Sequence, residues 1–385
     1  MKILIVVPPL AGHINPTLAL GAELIRRGHR VAWVGHRTEL SRRVPPIYER
    51  YFLDDQIPLL ELNQTLQGRT ARGLRAFKEL WADFFIPLAK SALGGLEVVM
   101  TDYEPDMVLT DQQMLAGALA CRRLNLPWVT SSTTSAGVLH PFRDLPTIGS
   151  WLATQLDELQ AHAGLTAHPV PDRSPLCTLV FSSKLLVGPA AQSLPSTVHF
   201  VGPAIQKDAR PPVEFPWSEL SDSPLIYLSL GTVNQAMGGH FYRTAFDALA
   251  DGQYQAVVVG PKSLSQAAPS NIVVVERAPQ LDILERATAV VTHGGHNTVC
   301  ESLINNLPLI ATPIKDDQPI VAQQVADAGA GLRLRFNRFS AKELRSALST
   351  VINQVSYRRS AEALGASLRG AGGPMRAADI MESLL

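Results

Sequence analysis

Short runs of β-branched and other apolar residues alternate with helix-length amphipathic segments along the chain, and this alternation limits the possible folds most. It is typical of βαβ units, in which helices cover a sheet of parallel strands. Because the pattern occurs twice, the sequence predicts an α/β protein with two such sheets. The predicted strands are residues 3–7, 30–35, 58–62, 107–110, 128–131 and 185–188 in the first set, and 225–229, 255–260, 272–275, 289–292, 308–312 and 331–334 in the second.

A polar segment without hydrophobic periodicity separates the two sets. Residues 206–219 include three prolines and offer few apolar groups to offset the entropic cost of ordering the chain. We therefore predict a first domain over 1–203, an interdomain linker over 204–222 and a second domain over 223–385, whose C-terminal helix packs back on the first domain. Ligands of doubly wound sheets bind beyond the carboxyl ends of the strands, so a cleft between two facing domains is the expected site.

Charge and cysteine content exclude several classes of protein. The 385 residues include 34 basic and 34 acidic side chains, so the chain lacks the positive excess that nucleic acid or an anionic membrane attracts, and we expect no nucleic-acid partner. No apolar run approaches the roughly 18–20 residues that a membrane span requires, which predicts a cytoplasmic protein without a transmembrane segment. The three cysteines lie far apart without Cys-x-x-Cys spacing, which argues against a disulfide framework and a zinc site.

The loop after the first predicted strand carries His13. We interpret Asn15 and Pro16 as the N-cap and the first residue of the following helix. An imidazole titrates near neutrality and can take a proton from a hydroxyl group. Asp111 ends the strand 107–110 at the same sheet edge, where its carboxylate would orient the imidazole and stabilise the imidazolium. The alternatives are a histidine that bonds the backbone in a turn and an aspartate that caps the next helix.

No Gly-x-Ser-x-Gly or His-Glu-x-x-His motif occurs, so the chain supplies neither a serine nucleophile of that type nor a zincin site. A His–Asp base would therefore act on a hydroxyl group of a substrate. This favours group transfer.

A second loop contains His293, Gly294 and Gly295 between a predicted strand and a predicted helix. The glycines permit close approach of a ligand, and the helix N-terminus supplies free amides for phosphate. Residues 229–232, after the first strand of the second set, offer further hydroxyl groups for the same purpose. The chain has no Asp-x-Asp, Gly-x-Gly-x-x-Gly or P-loop motif, so we expect a diphosphate bound without a metal and no dinucleotide cofactor.

Two polar pairs near this loop have alternative interpretations. Thr298 and Glu301 have the spacing of a helix capping box, which is an alternative to ligand binding. Asp317 and Gln318 follow another predicted strand and combine several acceptors with two donors, which suits the vicinal hydroxyl groups of a sugar. Their alternative is a solvated helix start whose acidic residue favours the helix dipole.

Together these motifs resemble the inverting, nucleotide-sugar-dependent glycosyltransferases of the UDP-glycosyltransferase superfamily, of the bacterial natural-product type. In that family the phosphate-binding histidine is followed by Asn, Ser or Thr, Glu, and Asp-Gln at fixed offsets. The matching residues here are His293, Asn297, Thr298, Glu301, Asp317 and Gln318, with the signature prolines at Pro308 and Pro313. The resemblance covers the whole chain.

The resemblance implies two facing Rossmann-like domains, the GT-B fold, with His13 and Asp111 as the catalytic base dyad. Arg277 stands where the family has the tryptophan that stacks on the nucleobase, and an arginine plane accepts both uracil and thymine. His296 replaces the plant tryptophan near the sugar. The implied donor contacts are Thr232, His293, Gly295, Asn297 and Thr298 for diphosphate, Glu301 for ribose, Asp317 and Gln318 for the sugar, and Ala278 and Gln280 in the nucleobase segment.

The acceptor is expected in the first domain. The apolar segment 74–96 carries Trp81, Phe84 and Phe85, which either face the cleft or belong to the core. With Ser132 and Thr134 they suggest a hydrophobic small molecule with hydroxyl groups, such as a polyketide, terpenoid or carotenoid.

The sequence thus predicts transfer of a hexose from UDP-glucose or a dTDP-deoxysugar, with the nucleotide sugar as co-substrate and no further cofactor or metal. Two alternatives stay open at this point. A nucleotide-sugar epimerase would share the architecture, and a non-enzymatic two-lobed sugar-binding protein would share the domain arrangement.

Overall fold

A computed structural model describes residues 1–53, 71, 73–139, 145–207, 210, 212–231 and 234–384. The chain divides into two compact units. The first unit comprises Met1–Ser183, Pro189–Pro211 and Ala371–Leu385, and the second comprises Lys184–Gly188 and Pro212–Gly370. Each unit contains one parallel sheet with helices, so the predicted α/β class is confirmed.

The sheet of the first unit has seven parallel strands in the order β3-β2-β1-β4-β5-β6-β7. Its strands are β1 (Lys2–Val6), β2 (Arg30–Gly35), β3 (Glu49–Phe52), β4 (Met107–Asp111), β5 (Trp128–Ser132), β6 (Thr178–Val180) and β7 (Val198–Phe200). The described helices that precede or connect these strands are α1 (Ala11–Arg26), α2 (Arg37–Arg43), α3 (Gly73–Leu80), α4 (Ile86–Tyr103), α5 (Leu115–Leu124), α6 (Pro146–His162) and the short α7 (Lys184–Val187), which belongs to the second unit.

The sheet of the second unit has six parallel strands in the order β10-β9-β8-β11-β12-β13. They are β8 (Leu225–Ser229), β9 (Gln255–Val259), β10 (Ile272–Val275), β11 (Ala287–Thr292), β12 (Leu309–Ala311) and β13 (Gly331–Arg333). The helices are α8 (Gly239–Leu249), α9 (Gln280–Leu284), α10 (His296–Ile304), α11 (Gln318–Asp327), α12 (Ala341–Asn353) and α13 (Val355–Gly370), and α14 (Gly373–Glu382) returns to the first unit.

Each sheet reverses its strand order at one place, between β1 and β4 in the first unit and between β8 and β11 in the second. Connections leave such a pair of strands in opposite directions, so the loops at their carboxyl ends part and leave room for a ligand. The segments that follow β1 and β11 and carry the two predicted histidines both lie at these positions.

Strand β1 shows why the sheets fold as central layers. Ile3, Leu4, Ile5 and Val6 are all fully buried. Leu4 and Val6 belong to one hydrophobic cluster, and Ile3 and Ile5 belong to another. Because successive side chains of a strand point to opposite faces, a strand covered by helices on both sides must be apolar at every position.

The predicted strand 185–188 is wrong, because this segment forms the short helix α7. A brief apolar run does not distinguish a strand from a buried helix by its periodicity alone. The prediction also omitted β3, β6 and β7. Two of these have only three residues each, and β3 has the half-polar sequence ERYF. The predicted strand 58–62 lies outside the described residues.

Helix α1 begins at Ala11, so the prediction that Asn15 caps it is wrong. The N–H groups of His13 and Ile14 both donate to the carbonyl of Leu10, at 3.0 and 3.1 Å. Pro16 lies inside the helix, where its ring removes one backbone donor but leaves the preceding turn intact. His13 therefore lies on the first helical turn, where its backbone is fixed.

The helical run Gly73–Tyr103 has 31 residues and is, by length and composition, apolar enough to cross a membrane. The length and mean hydropathy of this run make it a candidate span, which the prediction of no transmembrane segment did not include. In its most apolar stretch 56% is buried inside the protein, as in the core helix of a globular domain. Among the described residues no other helix meets the same criteria.

Helix α14 packs on α1 through charged and apolar contacts. Arg27 Nη1 lies 2.7 Å from carboxylate oxygens of both Asp379 and Glu382. Ile380 and Met381 are buried in the same cluster as the apolar face of α1. The end of the described chain is therefore part of the core of the first unit.

Replacing Met381 by alanine is expected to lower the free energy of unfolding of the first unit by about 2–5 kcal/mol, because the side chain is fully buried and its loss leaves a cavity. Urea unfolding of the full chain followed by circular dichroism measures the change. Met375→Ala is the matched control on the same helix. Met375 is 59% exposed, so its truncation is expected to change stability by no more than about 0.5 kcal/mol. Equal effects of the two substitutions would contradict the docking of α14.

Candidate active site

His13 and Asp111 meet at the edge where the first sheet reverses its strand order. His13 lies on the first turn of α1, which follows β1, and Asp111 is the last residue of the neighbouring β4. The His13 Nδ1 atom is 3.0 Å from each carboxylate oxygen of Asp111. The predicted pair is thus brought into direct contact.

The environment of this pair fixes its orientation. The Asp111 side chain is completely buried, whereas the imidazole of His13 keeps 15% of its surface exposed. The backbone N–H of Gln113 donates to Asp111 Oδ1 at 2.9 Å, which holds the carboxylate in place. A carboxylate beside Nδ1 favours the tautomer with the proton on Nδ1 and leaves Nε2 as the basic nitrogen. This is the arrangement that a general base requires.

Thr133, immediately after β5, is a third member of this group that sequence reasoning missed. Its Oγ1 lies 2.9 Å from His13 Nδ1, and the residue is 6% exposed. The pairing of β4 with β5 explains why Thr133 lies near Asp111. Asp111 on β4 pairs with Ser131 on β5, and the residue two positions after Ser131 lies on the same face.

Ser132 and Thr134, which were predicted to bind the acceptor, instead make hydrogen bonds within the protein. Ser132 Oγ donates to Gln112 Oε1 at 2.9 Å. The Thr134 side chain accepts from the backbone N–H of Ala136 at 3.3 Å and caps a short 3-10 turn. Both residues are nearly inaccessible to solvent, so their hydroxyl groups stabilise the loop.

Trp81, Phe84 and Phe85 lie on a π-helical turn between α3 and α4. Phe84 and Phe85 are buried in the main core cluster, so the expectation that they face a cleft is wrong. Trp81 is half-buried and packs edge-on against Phe85, with 5.5 Å between ring centroids. The apolar character of segment 74–96 is explained by packing of its buried residues against the sheet.

His293 follows β11 and is enclosed by two glycines. A Cβ atom on Gly231 would lie 2.7 Å from His293 Cε1, and one on Gly295 would lie 2.6 Å from Nε2. Real Cβ atoms do not approach other atoms so closely, so glycine is required for the ring to occupy this position. Thr292 Oγ1 lies 3.4 Å from His293 Nδ1 and accepts the backbone N–H of Gly294 at 3.2 Å.

Burial lowers the pKa of His293 to about 4, because the charged imidazolium would lose its hydration. The imidazole is therefore neutral at pH 7. A neutral ring offers one N–H donor and one acceptor, so His293 is suited to hydrogen bonding with an anion without adding positive charge.

Helix α10 begins at His296 and presents the amides of its first turn beside this ring. Gly295 precedes the helix and has no side chain with which to cap these amides. Thr298 is the third residue of the helix, so the capping-box alternative for Thr298 and Glu301 is wrong. Backbone amides in the first turn of a helix are donors suited to a phosphate group.

Gln280, which is partly buried, forms one hydrogen-bonded group with the buried side chains of Thr298 and Glu301. Gln280 Nε2 donates to Glu301 Oε2 at 2.5 Å and to Thr298 Oγ1 at 3.4 Å. Tyr227, a β8 residue that sequence reasoning missed, donates its hydroxyl to Gln280 Oε1 at 2.8 Å. The amide of Gln280 is therefore oriented by groups at both of its ends.

Asp317 and Gln318 border the His293 loop. Gln318 is the first residue of α11, and its Oε1 accepts the backbone N–H groups of Ile314 and Lys315 at 3.0 and 3.2 Å. A Cβ atom on Gly294 would lie 3.2 Å from the Gln318 carbonyl oxygen, so the two loops are in contact. The charge of Asp317 also acts on the His293 ring, partly opposing the effect of burial on its pKa.

Two residues that were predicted to bind the donor, Thr232 and Ala278, contribute little to the description of this site. Thr232 lies outside the described residues. Ala278 is half-buried against the second unit's core, and its neighbour Arg277 is exposed. Within the described ranges, no group of three or more His, Cys, Asp or Glu side chains is placed to hold a metal ion.

Known proteins with similar sequences are glycosyltransferases. The family model for UDP-glucoronosyl and UDP-glucosyl transferase matches residues 197–371. The NDP-glycosyltransferase YjiC of Bacillus licheniformis is 28% identical over 98% of this chain and 96% of that protein. The demethyllactenocin mycarosyltransferase of Streptomyces fradiae is 26% identical over 98% of this chain and 85% of that protein.

A solved structure with a similar fold is the glycosyltransferase of kitacinnamycin, with a TM-score of 0.81 and 22% identity over 100% of this chain and 98% of that one. The chain is a glycosyltransferase with the GT-B fold and is similar to the UDP-glycosyltransferase superfamily. The family resemblance drawn from the sequence motifs is confirmed.

The imidazole ring resonances of His293 are expected to keep the chemical shifts of a neutral ring between pH 8 and pH 5, because burial lowers the pKa of His293 to about 4. Histidine-selective labelling and NMR titration of the full chain measure this, and the spectrum of His293→Gln assigns the signal. A midpoint near 6.5, the value of a hydrated histidine, would contradict the burial of the ring.

The same shift has a consequence for stability. The unfolded chain binds a proton at this residue below about pH 6.5 and the folded chain does not until about pH 4, so this contribution to the unfolding free energy falls as the pH decreases between these values. His293→Gln is the control, since it removes this part of the pH dependence.

Proposed function

We propose that the protein is an inverting glycosyltransferase that moves a hexose from a nucleoside-diphosphate sugar to a hydroxyl group of a hydrophobic small-molecule acceptor. The observation that carries the proposal is the 3.0 Å approach of His13 Nδ1 to both oxygens of the buried Asp111. A histidine held in this way is suited to act as a general base for a hydroxyl nucleophile. The match of a glycosyltransferase family model to residues 197–371 supports the same reaction class.

In the proposed reaction, His13 Nε2 takes the proton of the acceptor hydroxyl, and Asp111 stabilises the resulting imidazolium. The acceptor oxygen attacks the anomeric carbon from the face opposite the leaving group. The bond from this carbon to the phosphate oxygen breaks, and its electron pair leaves with the nucleoside diphosphate. A single displacement converts an α-linked donor into a β-linked product.

The loop after β11 is proposed to stabilise the charge that develops on the leaving diphosphate. The neutral ring of His293 supplies a hydrogen bond, and the first-turn amides of α10, near Asn297 and Thr298, supply further donors at the positive end of the helix dipole. Because these groups carry the stabilisation, we propose a reaction without a metal ion.

The nucleoside and sugar are assigned to neighbouring groups. Glu301, oriented by Gln280, is proposed to accept hydrogen bonds from the ribose hydroxyls, and its burial would strengthen them. The exposed guanidinium of Arg277 is proposed to stack on uracil or thymine. Asp317 and Gln318, which border the diphosphate loop, are proposed to bind the hexose of UDP-glucose or of a dTDP-deoxysugar.

The proposal of a hydrophobic acceptor rests on the names of related proteins more than on the residues that were predicted to contact it. Ser132, Thr134, Phe84 and Phe85 serve packing and internal hydrogen bonds in the structure. The relatives include a mycarosyltransferase acting on demethyllactenocin, and a structural neighbour is named for kitacinnamycin. We propose an acceptor of this natural-product class.

His13→Ala is expected to lower kcat by about 10²–10⁴-fold, the usual contribution of a general base, while nucleoside diphosphate binding is retained. Product formation from UDP-glucose or a dTDP-sugar with a panel of phenolic and polyketide acceptors measures the rate, and calorimetry measures binding. NMR of the product is expected to show a β-linkage. The control is His162→Ala, an exposed residue at the end of α6.

Wild-type turnover in His13→Ala would remove this residue from the mechanism. An α-linked product would contradict inversion. Conversion of the nucleotide sugar into an epimer without any acceptor would favour the epimerase alternative, and binding without transfer to any acceptor or to water would favour the sugar-binding protein.

Gly295→Ala is expected to weaken UDP or dTDP binding by about tenfold or more, because the new Cβ would displace the His293 ring. Calorimetric titration of the full chain measures the affinity, and the same titration in EDTA is expected to give the same value. Gly239→Ala is the matched control. Its Cβ meets nothing within 4 Å at the start of α8, and binding there should be unchanged. Wild-type affinity in Gly295→Ala would contradict the assignment of the diphosphate to this loop.

A further inference from the structure

We propose that Thr133 is a positioning residue for His13, whose hydroxyl oxygen accepts a hydrogen bond from Nδ1–H and fixes the plane of the imidazole. This inference rests on the proposed role of His13 as the general base. It adds a third residue, from a third strand, to the pair that the sequence predicted.

Three neighbouring strands converge on the imidazole. His13 follows β1, Asp111 ends β4 and Thr133 follows β5, and these strands are adjacent in the sheet. Thr133 Oγ1 is 2.9 Å from Nδ1, slightly closer than the 3.0 Å to either carboxylate oxygen. The contact is therefore as short as the one that defines the dyad.

The chemistry of the two partners decides which atom carries the proton. The Asp111 carboxylate accepts hydrogen bonds only, so it requires the proton on Nδ1. The Thr133 hydroxyl can accept or donate, and beside an Nδ1–H it must accept. Its own hydrogen is then directed away from Nδ1. Both partners therefore stabilise the tautomer in which Nε2 is the base.

Two separate anchors restrain the ring more than one does. Both Asp111 oxygens lie at the same distance from Nδ1, so the carboxylate alone would permit the ring to tilt between them. Thr133 approaches the same nitrogen from the neighbouring strand and limits this rotation. A base held within a narrow range of angles aligns better with the acceptor hydroxyl, which affects kcat more than donor binding.

The burial of Thr133 keeps this contact in place. The residue is 6% exposed, and it stands between Ser132 and Thr134, whose side chains are held by internal hydrogen bonds. With little water available to replace the hydroxyl, its removal leaves the Nδ1–H with one partner fewer.

Thr133→Val keeps the shape of the side chain and removes the hydroxyl, and we expect it to lower kcat about tenfold while KM for the nucleotide sugar stays within about twofold. Thr133→Ser restores the hydroxyl and is expected to recover kcat to within about threefold of the wild type. The ¹⁵N shifts of His13 give an independent readout, since the Val variant should increase the population of the tautomer protonated on Nε2.

Thr130→Val is the matched control. Thr130 lies on β5, is fully buried and accepts the backbone N–H of Ser174 at 2.8 Å, so its loss lowers stability but leaves His13 untouched. We expect its kcat and the His13 ¹⁵N shifts to match the wild type.

Wild-type kcat in Thr133→Val would overturn the inference, and so would equal losses in the Val and Ser variants, which would indicate a packing role. His13→Ala distinguishes a failure of the Thr133 role from a failure of the proposed function. If His13→Ala is inactive and Thr133→Val is fully active, only the role of Thr133 fails. If His13→Ala is active, the proposed function itself fails.

Discussion

The parallel pairing of strands is the constraint on which the rest of this protein depends. In a parallel sheet all carboxyl ends lie at one edge, and the loops after adjacent strands meet there. His13, Asp111 and Thr133 follow or end three adjacent strands of the first sheet. Gly231 and His293 follow β8 and β11, which are adjacent in the second. Backbone pairing thus brings together residues that are distant in the chain, such as His13 and Asp111, which are 98 positions apart.

The two histidines at these edges differ because their surroundings differ. His13 keeps part of its imidazole exposed and contacts a buried carboxylate, and a negative charge so close would stabilise a positive charge on the ring. His293 is buried between glycines, and desolvation keeps it neutral. One ring is therefore suited to accept a proton and the other to donate a hydrogen bond to an anion. The division follows from solvent access and from the neighbouring groups.

The sequence patterns were informative wherever a residue type limits the local backbone or the chemistry. The α/β class, the loop from His293 to Glu301 and the His13–Asp111 pair were all predicted, because strand periodicity and loop glycines can be recognised locally. The short strands β6 and β7 were missed because three residues carry no usable period. For Phe84 and Phe85 the sequence left a cleft and the core as alternatives, because apolar composition does not distinguish a core face from a ligand-binding face.

Thr133 and Tyr227 illustrate the limit of sequence reasoning. Neither belongs to a motif, and each acts on a residue far away in the chain: Thr133 on His13 and Tyr227 on Gln280. The sequence by itself determined the α/β class, most of the longer strands, the glycine-rich loop after β11 and the family that the motifs resemble. Only the tertiary structure decided which hydroxyl reaches His13, which residues orient the Gln280 amide and which aromatic rings fill the core, because sheet register and packing distances depend on contacts between distant segments.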